Sequence, residues 1–543
     1  HAGRPDPVLS VVRSVFMSSS GIDRQYERRL ASLINAREPR VLQGGLKGVE
    51  KESLRVSPDG YIEQSEHPRE LGSTLTHEHI TTDYSEALIE LVTPAFKESW
   101  ELLQYLCDLH QFVYRHLGEQ LLWATSMPCI IDGDPSIPIA RYGRSNIGRM
   151  KEAYRRGLGW RYGRMMQAIS GVHYNYSFPA HFWPVLAETL QAQNADQDFV
   201  SAQYFGLLRN YRRYGWLVLY LFGNSPAVCG SFVRGREHSL KEFAPGTLYE
   251  PYATSLRMSD LGYRNKSQAG VQISVNSLEE YVRDLSAAVS TPHPEYERIG
   301  VKVDGEYRQL NANLLQIENE YYSYIRPKRV ARSGERPTNA LRRGGVEYVE
   351  FRALDVSAYD PVGVNQNKLR FLEAFAALCV IKPSEPINAT EWDQLDANHA
   401  LVAHRGREPG LKLNRNASPI ELRAWALELI DSMRGICELL DNGDAQRPYA
   451  AALDLQQGKI DDPRLTPSAR TLEELRSTGE SFADMALRMS RLHKAYFLDL
   501  YPPNEQRLAE FGAEARESLE RQLAVEAADR VTFDQFLANY FRS

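Results

Sequence analysis

The chain has 543 residues, 43% of them hydrophobic and 25% charged, with a formal net charge of −6. That is ordinary globular composition with ample length for a large core, and it argues against a protein that grips nucleic acid with its whole surface. No apolar run reaches the roughly 18 residues of a membrane span; the best, WLVLYLF (Trp216 to Phe222), reads as a core element.

Residues 1 to 16 read as an appended or processed extension, with a natural start at Met17. Length alone allows about three or four domains. The pattern along the chain suggests a mixed α/β body over 17–364 and a mainly helical lobe over 365–543 packed on it. The five cysteines, Cys107, Cys129, Cys229, Cys379 and Cys437, are odd in number and widely spaced. That suits reduced thiols in a cytoplasmic protein.

Residues 17 to 40 pattern as a helix, and Val41 to Val56 as a strand that turns at SPDG, Ser57 to Gly60. Within it, GVEKESLRV places Glu50, Glu52, Leu54 and Val56 on one face. Two carboxylates one residue apart on a strand lie about 6.6 Å apart. At an effective dielectric of about 20 they repel by about 2.5 kcal/mol, before any loss of hydration. A buried pair therefore calls for protons or cations.

Next, TTDYSEALIELVTP offers Asp83 and Glu90, the latter set among Leu88, Ile89, Leu91 and Val92. Leu102 to His116 and Met150 to Ile169 pattern as helices. VHYNYSF (Val172 to Phe178) alternates Val, Tyr, Tyr and Phe with His173, Asn175 and Ser177. LLQIENEYY (Leu314 to Tyr322) alternates in the same way and puts Gln316, Glu318, Glu320 and Tyr322 on one side. VEYVEFRAL (Val346 to Leu354) puts Tyr348, Glu350 and Arg352 on one side. All are expected to be strands of an antiparallel sheet whose polar face, rich in hard-cation ligands and poor in lysine, closes over a cavity. Carboxylates with one imidazole suit Mg2+ or Mn2+ better than a thiolate-rich zinc site.

Between two of these segments, IRPKRVARSGERPTNALRRGG (Ile325 to Gly345) shows no clear periodicity and carries Arg326, Lys328, Arg329, Arg332, Arg342 and Arg343. Arginine beside hard cations suits a polyphosphate. No P-loop or Rossmann glycine pattern is present. After about Asn367 the sequence turns helical. SPIE (Ser418 to Glu421), TPSA (Thr466 to Ala469) and TFDQ (Thr532 to Gln535) read as helix starts, the first and last as capping boxes.

Simpler readings compete at each position. Glu50 and Glu52 also fit structural ion pairs with arginine, Glu318 and Glu320 a solvated face, Asp83 a helix cap, and His173 a hydrogen-bonded core histidine. Their joint occurrence favours a metal cluster.

The runs GVEKESLRV, LGSTLTHEHITTDYSEALIELVTP, YGRSNIGRMKEAYRRGL, ISGVHYNYS, PYATSLRMSDLGYRNKSQ, LQIENEYYSYIRPKR and GGVEYVEFRALD, spanning about 41 to 360, resemble the glutamate–cysteine ligases of the proteobacterial type. Lys51 and Ser53 stand where that family usually has Arg and Thr. RGREPGL (Arg405 to Leu411) has arginine where the family run starts with glutamate.

The resemblance implies an α+β, glutamine-synthetase-like fold, a curved antiparallel sheet funnel surrounded by helices. It implies ATP-dependent joining of the L-glutamate γ-carboxylate to L-cysteine through a γ-glutamyl phosphate, the first step of glutathione biosynthesis. Glu50, Glu52, Asp83, Glu90, His173 and Glu350 are implied as Mg2+ ligands, and Arg352 as the arginine meeting the transferring phosphoryl group. Arg257 is implied as the partner of the glutamate α-carboxylate. Tyr84, Tyr154, Arg155, Tyr263 and Tyr322 are implied around cysteine, and Arg326, Lys328 and Arg329 at the ATP phosphates. A monomer inhibited by glutathione is implied as well. The residues alone leave open a ligase for another amine, a metal-dependent phosphohydrolase, and a metal- or nucleotide-binding regulator.

Overall fold

A computed structural model describes residues 21–262, 271–332 and 334–542. Its centre is a seven-stranded sheet in which every neighbouring pair is antiparallel. The strands are β1 (Leu46–Val56), β2 (Ile80–Thr82), β3 (Leu88–Val92), β4 (Leu121–Leu122), β5 (Gly171–Ser177), β6 (Ile325–Lys328) and β7 (Tyr348–Asp355). Their order is β6-β7-β5-β1-β3-β2, with β4 joined to the far end of β1. The α+β architecture implied by the resemblance is present.

Period-two alternation decides the two faces. Val49, Ile89, Leu91, Val172, Tyr174, Tyr176, Val349 and Phe351 fall on one face and belong to a single hydrophobic cluster. The helices that cover this side are α1 (Ser99–His116), α3 (Gln197–Tyr214), α4 (Trp216–Phe222) and α5 (Gln366–Ile381). WLVLYLF, as α4, is buried at every residue. The other face carries Glu50, Glu52, Glu90, His173, Asn175, Glu350 and Arg352. Asn146–Tyr162, here α2, carries Tyr154 and Arg155.

Beyond residue 388 come α6 (Ala389–Arg405), α7 (Leu422–Leu440), α8 (Pro448–Asp461), α9 (Phe482–Asp499), α10 (Glu505–Ala528) and α11 (Phe533–Arg542). Residues of α7, α8 and α10 join the same hydrophobic cluster as the sheet. The TFDQ capping box forms: Thr532 N donates to Gln535 Oε1 at 3.0 Å, and Gln535 N donates to Thr532 Oγ1 at 3.3 Å. Thr466 likewise caps its helix by accepting from Ala469 N. No helix among the described residues is long and apolar enough to cross a membrane.

Several expected elements differ. Strand β1 starts at Leu46, after a turn over 41–44. The helix expected over Met150 to Ile169 spans Asn146–Tyr162 instead, ends at Gly163, whose φ is 80°, and is followed by a 3-10 turn at Met165–Ala168. LLQIENEYY is not a strand; Glu318–Glu320 is one turn of 3-10 helix. Side chains take the place of a ladder there. Gln316 Oε1 accepts from Leu310 N at 2.9 Å, Glu320 Oε2 accepts from Gln316 N at 2.6 Å, and Asn311 Nδ2 donates to Gln316 O at 2.8 Å. These local bonds compete directly with sheet pairing.

SPIE is the second strand of a hairpin, paired with Lys412–Arg415, so Ser418 is not an N-cap and the helix begins at Leu422. Asn416 and Ala417, at φ 52° and 60°, form the two-residue connection, the geometry that matches strand twist. The basic stretch is not structureless: it opens as β6 and closes as the helix Pro337–Gly344.

Candidate active site

Glu50 sits at the centre of the sheet, opposite His173 on β5, while Glu52 lies opposite Glu90 on β3. On the far side of β5, Asn175 pairs with Glu350 of β7, and Glu350 with Arg326 of β6. Register alone thus draws residues from positions 50 to 350 into one patch. Asn175 Nδ2 donates to Glu50 Oε1 at 2.9 Å, and His173 Nδ1 lies 3.1 Å from Glu50 Oε2. With the Nδ1 proton turned to Glu50, Nε2 presents its lone pair 3.9 Å from Glu52 Oε1. The other oxygen of Glu52 accepts from Gly171 N at 2.7 Å.

The patch is unevenly charged. Glu350 lies 3.1 Å from Arg352 NH1 and 3.5 Å from Lys328 Nζ. Burial opposes its ionisation, but Lys328, Arg352 and His173 outweigh burial and hold its carboxyl well below the usual range. Glu50 is also held low: burial raises it, and the His173 hydrogen bond together with the charges of His173 and Lys328 outweighs burial. Glu90 is the reverse. Burial, then the charges of Glu50, Asp83 and Glu52, push it well above the usual range. Burial likewise raises Glu52, with Asp83 adding to the effect. Among the described residues no cation lies within ion-pair distance of Glu90.

A cation fits this donor set. Glu50, Glu90 and His173 each bring a ligand atom to within 4.8 Å of the others. Glu52, Asp83 and Glu350 surround them. Five carboxylates, one imidazole and no thiolate describe a hard, oxygen-rich site. The hydrogen bond that the imidazole Nδ1 donates to Glu50 is the usual way a ligand histidine is oriented.

A model of the family described as glutamate-cysteine ligase matches residues 30–402. A glutamate–cysteine ligase of Alcanivorax borkumensis is 48% identical over 527 residues, covering 95% of this chain and 99% of its own. The chain belongs to the glutamate–cysteine ligase family. It is an enzyme of the ligase class. A glutamate–cysteine ligase of Pseudomonas putida is 49% identical over 94% of this chain and 97% of its own. Among solved structures, a glutamate–cysteine ligase from Francisella tularensis in complex with AMP superposes with a TM-score of 0.86 at 36% identity, over 92% of this chain and 98% of its own. A bifunctional glutathione synthetase from Pasteurella multocida shares the fold, with a TM-score of 0.69 at 23% identity, and this chain spans 58% of it.

On this glutamate–cysteine ligase framework the remaining expected residues fall into three groups. Arg257 lies beside the acids. It sits on the 3-10 turn Leu256–Met258, is 1% exposed, donates from NH2 to Arg352 O at 3.0 Å, and partly offsets the rise of Glu52. Its NH2 passes so close to Gly171 that a Cβ there would lie 2.1 Å away. Arg155 donates to the Asp83 carbonyl and stacks its guanidinium 4.5 Å from the Tyr142 ring centre.

Tyr84, Tyr154 and Tyr322 form the second group. The Tyr84 hydroxyl is buried, has no hydrogen-bond partner among the described residues, and faces Gly159 of α2. The Tyr322 hydroxyl lies 3.2 Å from Met258 Sδ, and its ring is 6.0 Å from the Arg352 guanidinium. Tyr263 lies outside the described residues.

The basic residues split by parity. Arg326 and Lys328 share the acidic face; Arg326 donates to the Asn319 and Tyr321 carbonyls. Arg329 does not come to this face. It donates to Gly345 O at 2.6 Å and pairs with Glu347.

Three contributors went unassigned in the sequence. Asn175 fixes Glu50, and its parity with His173 was the signal. Gly171 supplies an N–H to Glu52. Asp355, the last residue of GGVEYVEFRALD, lies 3.7 Å from Arg257 NH1. It also accepts from Ser225 Oγ at 2.6 Å, Asn224 N at 2.8 Å and Ser255 Oγ at 2.9 Å.

Proposed function

We propose that this chain joins the γ-carboxylate of L-glutamate to the amine of L-cysteine, with ATP cleaved to ADP and phosphate. The observation that carries this reading is the convergence of Glu50, Glu52, Glu90, His173 and Glu350 on one sheet face beside Arg352 and Lys328. Such a face suits a polyphosphate and its cations, and it needs no enzyme nucleophile.

A carboxylate is a poor acyl donor. Here its oxygen attacks the γ-phosphorus of ATP, and ADP leaves with the bridging oxygen and its bonding electrons. The amine lone pair then attacks the acyl carbon of γ-glutamyl phosphate. Phosphate departs with the C–O bonding pair, and the amine loses a proton. Both steps are governed by placement and by charge neutralisation.

Mg2+, or Mn2+ in its stead, held by Glu50, Glu90 and His173 with Glu52, Asp83 and Glu350 around them, supplies that neutralisation when bound. Arg352 meets the charge developing on the transferring phosphoryl group, a role worth most in a preorganised, partly dehydrated site. Arg326 and Lys328 hold the outer phosphates. Arg257, positioned by Asp355, takes the α-carboxylate of glutamate. Tyr84, Tyr154, Arg155 and Tyr322 line the cysteine side. The product is the precursor of glutathione, which shares its γ-glutamylcysteinyl unit and competes for the same pocket.

The deciding experiment is ADP formation with glutamate and Mg2+, with and without cysteine, across a panel of amines. ADP release that requires glutamate and rises sharply with cysteine supports the assignment. Phosphate release without glutamate, or preference for an amine lacking a thiol, overturns it.

A further inference from the structure

A second group of lone pairs meets at the outer edge of the sheet, where the segment entering β2 packs against α10. Glu78, His79 and Glu514 each bring a ligand atom to within 4.8 Å of the others. None of them belongs to the acidic patch described above.

The histidines fix which atoms carry protons. His79 Nδ1 lies 2.9 Å from the Val92 carbonyl, which only accepts, so Nδ1 donates and the ring is oriented through it. Tyr105 packs against that ring with centroids 5.3 Å apart. Nε2 of His79 is thereby aimed at Glu514 Oε2, 4.0 Å away, too far for a hydrogen bond. His77 is buried, and its Nδ1 accepts from His79 N and from Ile80 N, both at 3.0 Å. It therefore holds no proton, yet it faces Glu514 Oε1 at 3.4 Å.

His77 Nδ1 and Glu514 Oε1 thus face each other as two acceptors, and Nε2 of a neutral His79 turns its lone pair toward Oε2. The backbone N–H of Glu78 gives Glu514 Oε1 one donor at 3.1 Å. Arg521, two turns along the same helix, is occupied with the Thr76 carbonyl at 3.0 Å and with Glu517.

We propose that Glu78, Nε2 of His79 and Glu514 bind a divalent transition-metal ion of the Zn2+ type, with water in the remaining position. The two carboxylates here lack the three further acids that surround Glu50, Glu90 and His173, so the imidazole weighs more in this smaller set and tips it toward that class of ion, and three protein ligands leave a place open. The carbonyl on His79 Nδ1 is the orienting contact such a ligand needs. The ion ties together residues 436 positions apart in sequence, pinning α10 to the strand pair that carries Glu90. By mass action it stabilises the folded chain and leaves the unfolded chain untouched.

The test is a Co2+ titration of the full chain in excess Mg2+, followed by visible ligand-field absorption and equilibrium dialysis, with thermal melts in Zn2+. The parent should bind one equivalent that both His79→Gln and Glu514→Gln abolish and that Glu50→Gln retains. The Zn2+-induced rise in Tm should vanish with the same two substitutions. Equal Co2+ stoichiometry in the parent and in Glu514→Gln, or binding that Glu50→Gln alone removes, would overturn the proposal. Glu514 is half-buried rather than a core residue and Gln keeps its size, so the second substitution decides the matter even where His79→Gln disturbs folding.

Discussion

Glu50 and Glu52 on β1, and Glu318 and Glu320 just before β6, share a spacing but not a setting. Glu320 is fully buried beside Arg161, 3.0 Å away, and also accepts from Tyr162 Oη at 2.7 Å. Glu318 pairs with Arg336 at 2.8 Å and accepts from Thr338 Oγ1 at 2.8 Å. Every acid in that pair has its own cation. Glu50 and Glu52 instead face further carboxylates and a single shared imidazole, and Glu90 has no ion-pair partner among the described residues. A buried acid with a dedicated cation is architecture, whereas a group of acids short of cations is a place prepared for one from outside.

The contrast is open to direct attack. The largest expected effect is on the compensated side. Arg161→Met leaves Glu320 buried without its guanidinium and should lower unfolding free energy by about 3–5 kcal/mol in urea denaturation. The uncompensated side should respond in the opposite sense. Glu90→Gln should cut ADP-forming turnover by about 100-fold or more, yet leave Tm in chelator unchanged or raised, because it removes a charge repelled by Glu50, Asp83 and Glu52. A clear loss of metal-free stability in that variant would erase the distinction.

Arg257→Ala tests the cation side of the patch. Losing a charge-assisted contact to the glutamate carboxylate should raise the glutamate KM by about 10-fold or more while moving the ATP KM little. Equal rises in both would place Arg257 elsewhere.

The smallest effect belongs to an acid pair held by a titratable cation. His404 lies 2.8 Å from Glu250 and 3.0 Å from Asp260. Its pKa is raised, first by the Glu250 hydrogen bond, against the opposing pull of burial. A histidine raised above its unfolded value of about 6.5 stabilises the fold fully below that pH. The contribution fades as pH climbs through the folded value. His404→Gln should therefore cost about 1 kcal/mol in mildly acidic urea melts, discounted for partial exposure, and almost nothing once the parent histidine is neutral.

Alternation made β1, β5 and β7 legible, and with them the acids, because a strand buried on one face must repeat every second residue. It misled at LLQIENEYY, where the same alternation is satisfied by side chains capping an irregular backbone. It also left Arg329 with its neighbours, although β6 parity separates it from Arg326 and Lys328. SPIE carried a genuine capping pattern, overruled by two residues of positive φ that make a hairpin. Asp355 and Gly171 were out of reach for another reason: their roles exist only where β5, β7 and the turn bearing Arg257 meet.

Gly171 shows how a position without chemistry becomes indispensable. Its hydrogen in place of a side chain leaves room for a guanidinium on one side, while its amide anchors a carboxylate on the other. Even one methyl group would push the Arg257 guanidinium away from the acids beside it. If Arg257 takes the glutamate carboxylate as proposed, a saturation screen for catalysis should score this bare residue as harshly as any glutamate.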